Sequence, residues 1–361
     1  MRRPLLPLAF AAALAAQQPQ YFQESRPAWW KPKADLEAWN DRLVFDPDNR
    51  KPIERNRVRL RLRWQFGGDS DWWQVRVGSV HRAGSDGNRN NAPRFDNEPS
   101  NGSALDVAEV RLRALSAAGG VEVHGGLVEN ELLHQESLFD PDLRMTGGGL
   151  RLFWRNEGAG LDELGLRAEA GTIHLPLHGE VKLTGVQGVL KFSTGPVTWT
   201  AYGGPWKLEA RQEDALNYRR QNPAGAGGTY ANPEFRFDTT GAGMLWNGDV
   251  PLEVKALRHK NKDTGERGEE LQVWLGASTR PWWPRVGYIR QLLAPTGALA
   301  SVNGDLWWHH ANADGERYVL QLPLPKKWSL SYTVVDQRRR NVAPPATVGF
   351  KRTMVGISKR F

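Results

Sequence analysis

The sequence predicts an all-β fold, a transmembrane antiparallel up-and-down β-barrel of about sixteen strands, with fourteen or eighteen as the alternatives. Three observations predict it. In Arg57–Phe66, Val58, Leu60, Leu62, Trp64 and Phe66 alternate with polar residues, so they share one face of a strand while Arg57, Arg59, Arg61 and Arg63 share the other. Weaker copies of this pattern recur to the last segment, Met354–Phe361, which ends on an aromatic residue. Between the copies, short connections alternate with mostly longer ones.

The N-terminus reads as a signal peptide over residues 1–16. Arg2 and Arg3 precede an apolar run from Leu5 to Ala16 that is too short to span a bilayer as a helix, and small residues surround its end. Removing it lowers the formal net charge from +8 by the two arginines, to +6. No later stretch approaches the roughly 18 apolar residues of a membrane helix, so a membrane form of this chain must be a closed barrel. With Cys 0 there is no acylated N-terminus and no disulfide framework. A solvated basic surface accounts for this charge, and no nucleic-acid partner is expected of an exported chain. The expected location is the bacterial outer membrane.

Residues 17–34 form a periplasmic lead and 35–361 the barrel. The strands are expected at 35–45, 57–66, 72–82, 105–116, 119–129, 148–156, 161–171, 181–193, 196–203, 235–247, 251–260, 270–280, 284–292, 314–323, 327–337 and 348–361. The first is poorly patterned, and Asp35–Phe45 also reads as an amphipathic helix. Val181–Ser193 changes hydrophobic phase midway, which suggests a bulge. Asn303–His310 is placed in a loop, since counting it as a strand would spoil the even number that two periplasmic termini require. Trp64, Trp72, Trp73, Trp154, Trp199, Trp246, Trp282, Trp283 and Trp328 lie near the short turns, as in an aromatic girdle. A secreted β-sandwich or solenoid would have strands of about five or six residues and no short-long alternation.

Lipid must meet the apolar face, because an outward arginine near the midplane costs about 2–4 kcal/mol. That sends Arg57, Arg59, Arg61, Arg63, Arg76, Arg111, Arg113, Arg151, Arg155 and Arg167 into the lumen, with Glu109, Glu122 and Glu169 as the inward acids. The arginines either pair with carboxylates or set a positive potential that favours anions, and both can hold. The third long loop carries Glu131, Glu136, Asp140 and Asp142; folded inward opposite the arginines, it would form a constriction.

No catalytic site emerges, and no metal or cofactor is expected. His-Glu-x-x-His and Gly-x-Ser-x-Gly are absent, His309-His310 read as solvated loop residues, and Pro176 separates His174 from His178. Asp46–Asn49, Ser85–Asn88 and Asp96–Glu98 offer oxygen ligands of the kind calcium takes, though turn chemistry accounts for them. Arg338–Arg340, Lys260 and Lys262 lie at the outer rim, where they could meet lipopolysaccharide phosphates. Small residues near Gly241–Gly243 make a homotrimer a candidate assembly.

Gly126–Asn130, Ser137–Leu143 and Gly147–Leu152, with the arginine strand ahead of Asp71-Trp72 and the closing strand ending in Phe361, resemble the Gram-negative "putative porin" family. The family's N-terminal coiled coil has no counterpart here, and Glu131 follows Asn130 where proline is common. The resemblance implies a passive diffusion channel for small hydrophilic solutes, with outer-membrane lipid and lipopolysaccharide as surroundings. The arginine wall adds an expected anion preference. The alternatives are a solute-specific channel for an acidic substrate, such as phosphate or an anionic saccharide, and a plugged barrel whose outer loops serve adhesion or binding.

Overall fold

A computed structural model describes residues 30–46, 52–68, 71–85, 101–175, 179–211, 222, 231–304, 306–307, 309–340 and 349–361. The signal peptide, most of the lead, His178 and nearly all of the three oxygen-rich loop clusters lie outside the described residues. Sixteen strands follow in order: β1 (Trp30–Asp46), β2 (Ile53–Phe66), β3 (Trp73–Gly84), β4 (Gly102–Ser116), β5 (Gly119–Glu129), β6 (Arg144–Asn156), β7 (Leu161–Leu175), β8 (Gly179–Thr194), β9 (Val197–Arg211), β10 (Glu234–Trp246), β11 (Leu252–Asn261), β12 (Arg267–Leu275), β13 (Arg285–Leu293), β14 (Ala313–Leu324), β15 (Trp328–Arg339) and β16 (Gly349–Arg360).

Each strand pairs antiparallel with its sequence neighbours, and β1 closes the barrel on β16. Phe361 donates its amide to the Ala34 carbonyl at 2.8 Å, tying the two chain ends together. The first segment is therefore a strand and not a helix, and it starts at Trp30 rather than at 35. Closure leaves no open edge, which is the condition a sheet must meet in hydrocarbon.

The outward face carries a belt of exposed apolar side chains, among them Val110, Leu112, Val121, Val123, Leu164, Leu166, Val286, Leu320 and Val355. Trp72, Trp154, Trp199, Trp246, Trp282 and Trp283 stand exposed at the short-turn end of this belt. Water disfavours so continuous an apolar surface, whereas a bilayer core with interfacial indoles matches it.

At the long-loop end the pattern inverts. In β8, Val181 and Leu183 point inward and are buried, while Lys182 and Thr184 point outward. The expected bulge in this strand is absent, because β8 keeps one register against β9 from Glu180↔Arg211 to Thr194↔Val197. The change of phase is a change of environment. Beyond the apolar belt the outer face turns polar, and the inner face turns apolar because loops fill the lumen there. β9 and β10 behave alike, with Trp206, Leu208, Phe235 and Phe237 buried inward and Lys207, Glu209, Arg236 and Asp238 turned outward. The same inversion carries β9 on to Arg211, beyond the expected end at 203.

The filling comes from two loops. Leu132, Leu138, Phe139 and Leu143 of the β5–β6 loop pack with Leu299 and Val302 of the β13–β14 loop against Ile173, Leu183, Trp206 and Phe237. The loops meet directly: Asp140 donates its amide to the Val302 carbonyl at 2.7 Å, and Gly304 donates to the Glu136 carbonyl at 2.8 Å. A smaller cluster seats Trp307 among Leu43, Ile289, Val335 and Phe350. Among the described residues of 303–310 there is no strand.

Candidate functional site: an arginine ladder with a loop fastened to it

Arg57, Arg59, Arg61 and Arg63 occupy alternate positions of β2, and the register sets Gln65 of the same face opposite Arg76 of β3, which in turn faces Glu109 of β4. Arg111 and Arg113 continue the ladder on β4, Arg151 on β6 and Arg167 on β7. Regular alternation thus stacks guanidinium groups across one arc of the lumen.

The acids of this arc lie against the arginines. Arg59 bonds Glu37 Oε2 at 2.6 Å and Asp142 Oδ2 at 2.6 Å, while Arg61 bonds Asp142 Oδ1 at 2.8 Å. Arg63 reaches Asp106 at 2.7 Å and Glu129 at 3.0 Å. Arg76 bonds Glu109, and Arg111 bonds Glu131 as well as Glu109 Oε1 at 2.9 Å. Arg151 and Arg167 converge on Glu163 at 2.8 and 3.1 Å. Arg113 donates to Gln74 at 2.9 Å, and Arg57 faces the same lumen half-buried.

The loop acids therefore do not stand across open space from the wall, as a transverse-field constriction would need. Glu131 and Asp142, near the two ends of the β5–β6 loop, are bonded to it. Glu136 at the middle of the loop reaches the far side, where Arg317 of β14 bonds it at 2.6 and 3.0 Å. Asp140 is buried and uses Oδ1 to accept the Asp142 amide at 2.9 Å, shaping the loop's return. The loop spans the lumen like a strap held at three points. Paired guanidinium groups hold the Asp142 carboxyl well below the usual carboxylate range, and Arg111 does the same for Glu131. Burial without a carboxylate partner pushes the His134 imidazole down, so it sits neutral against Phe139 and Trp206.

Several participants were hidden from sequence reading. Asp106 occupies the point where β4 slips by one residue against β3, so simple alternation turns it outward, yet it is buried and binds Arg63 and Arg144. Arg144, the first residue of β6, bridges Asp106 and Glu129 at 3.1 Å each. Glu163 was legible, since it shares parity with Arg167 and Glu169. Asp41 on β1 binds Arg55 at 2.8 and 2.6 Å and Arg352 of β16 at 2.6 Å, in a buried cluster at the barrel seam.

Two expectations about other residues are corrected. His309 and His310 are buried rather than solvated. Gln337 brackets the His309 backbone with two 2.7 Å bonds, and Asn303 Oδ1 accepts from His310 Nδ1 at 2.6 Å while its Nδ2 donates to the His310 carbonyl. Gly241 and Gly243 face the lumen, with the Tyr202 ring lying where a Gly241 side chain would be, so the small outward residue of that stretch is Ala242 rather than the glycines.

The chain is similar over 92% of its length to OprB of Pseudomonas putida, with a TM-score of 0.60, 9% identity and 94% of that chain covered. It is also similar to OmpF of Salmonella typhi, solved with daunomycin, with a TM-score of 0.50, 12% identity, 92% of this chain and 98% of that one covered. No protein-family model matches the chain, and no curated protein sequence matches it. The motif resemblance noted above therefore holds at the level of fold and not of that family's name. What the chain shares with these proteins is the porin fold, a closed antiparallel barrel of sixteen strands.

Proposed function

We propose that the protein, exported by residues 1–16, is an outer-membrane channel for passive diffusion of small hydrophilic solutes. The observation that carries the reading is a charged, arginine-lined lumen inside a closed barrel whose outside is apolar. The path runs beside the ladder, where the β5–β6 strap narrows it. Anion preference is modest in this reading, because Glu37, Asp106, Glu109, Glu131, Asp142 and Glu163 take up much of the positive field. No chemical step is required of the chain. Lipopolysaccharide at the basic outer rim and a homotrimeric assembly belong to the same proposal.

One observation favours a second reading. Two loops meet inside the lumen and bury an apolar cluster there, as a plugged barrel with a loop-borne binding role would. Conductance separates the two. Refolded protein in a planar bilayer should give discrete current steps under a potassium chloride gradient; a folded barrel that passes no current would replace the channel by the plugged form.

A further inference from the structure

His124, Glu131 and Glu169 come from three separate elements, β5, the strap and β7, and place one donor atom each within 4.8 Å of one another. His124 and Glu169 are both 98% buried by side chain, and His124 Nε2 lies 3.3 Å from Glu169 Oε2. They face each other as an ion pair when the imidazole is protonated, and neither atom completes a hydrogen bond to any group among the described residues. With the imidazole neutral, a buried nitrogen and a buried carboxylate oxygen without hydrogen bonds are costly unless a cation or water sits between them.

Their separation suits a cation. Two donors bound tetrahedrally at about 2.0–2.1 Å stand roughly 3.3 Å apart. Arg111 holds one oxygen of Glu131, and the other, Oε2, lies 3.9 Å from His124 Nδ1, so Glu131 joins the group through the 4.8 Å grouping of donor atoms and not through contact with His124 Nε2. The space is reserved in the backbone as well. A side chain at Gly149 of β6 would meet the Glu169 carboxylate at 2.5 Å, so glycine there lets that group keep its present position.

We infer that His124, Glu131 and Glu169 form a site for a borderline divalent cation such as zinc, which would pin the strap to β5 and β7. One imidazole and two carboxylates are a donor set for such ions, and three protein ligands leave a position for water from the lumen. The site is separate from the permeation reading and stands whether or not the barrel conducts.

The test is zinc binding to the untagged, refolded chain by isothermal titration, with cobalt absorption as a second readout. The expected result is one zinc per chain, with affinity falling at least tenfold in both His124→Ala and Glu169→Gln while heat-modifiability is kept, and a tetrahedral cobalt band lost in the same variants. Absence of zinc binding to the wild-type chain overturns the inference, as does binding that both variants leave unchanged. Should His124→Ala fail to fold, Glu169→Gln and Glu131→Gln carry the comparison alone.

Discussion

At the residue scale, the lumen is governed by how few guanidinium groups lack an acid beside them. Asp41 is completely buried between Arg55 and Arg352, which join β1, β2 and β16 where the barrel closes. Removing the acid takes a shared carboxylate from two buried cations. Asp41→Ala should therefore destabilise the barrel by about 3–5 kcal/mol, seen as a lower denaturant midpoint. A change below 1 kcal/mol would remove the cluster from the account of closure. Asp142 is the strap's tie to Arg59 and Arg61, and Asp142→Asn should raise both single-channel conductance and anion preference by freeing those arginines from a carboxylate. The same tie makes a pH prediction. The carboxyl is depressed in the folded chain, so its stabilisation is full above the unfolded value of about 3.9 and is lost only as pH falls through the lower folded value. Conductance should stay level from pH 7 to pH 4.5; a transition inside that window would contradict the tie.

At the element scale, strand positions were legible and their faces only half so. Every expected strand has its counterpart, because tilted strands of about ten residues with turns at both ends leave a period-two record. Facing was read correctly for Arg57–Arg63, where apolar means outward. It failed at the loop ends of β8 and β10, where Val181 and Phe237 point inward onto the strap, while Trp206, also inward, lies beyond the expected end of its strand. Hydrophobicity reports whether a side chain meets water, and lipid and a packed loop look the same to it. Asp106 was missed for a different reason, since a one-residue slip of register leaves no mark in composition. The inward β13–β14 loop had a signal that went unused: Ala298-Leu299-Ala300 is too apolar for a loop in water, and all three residues are buried. Phe139 fixes the strap to Trp206, so Phe139→Ala should cost roughly 3–5 kcal/mol of local packing. Limited proteolysis should then cut within 130–143 while the barrel stays folded; an uncut loop would show that the charged ties suffice.

At the scale of the whole molecule, one barrel satisfies three demands. Closure pairs the backbone, the outer belt meets an apolar solvent, and the inner surface carries an arginine ladder and, toward the long-loop end, an apolar seat for two loops. The sequence shows the first two because they repeat in every strand. It shows the third poorly, because loop placement rests on single long-range ties such as Glu136 to Arg317. The central claim is that the ladder side stays open to solutes beside the strap. Single-channel current from the refolded chain without residues 1–16, in a planar bilayer under a potassium chloride gradient, tests it most directly. The account predicts discrete steps with a small reversal potential toward chloride; silence from a heat-modifiable, folded barrel would contradict it.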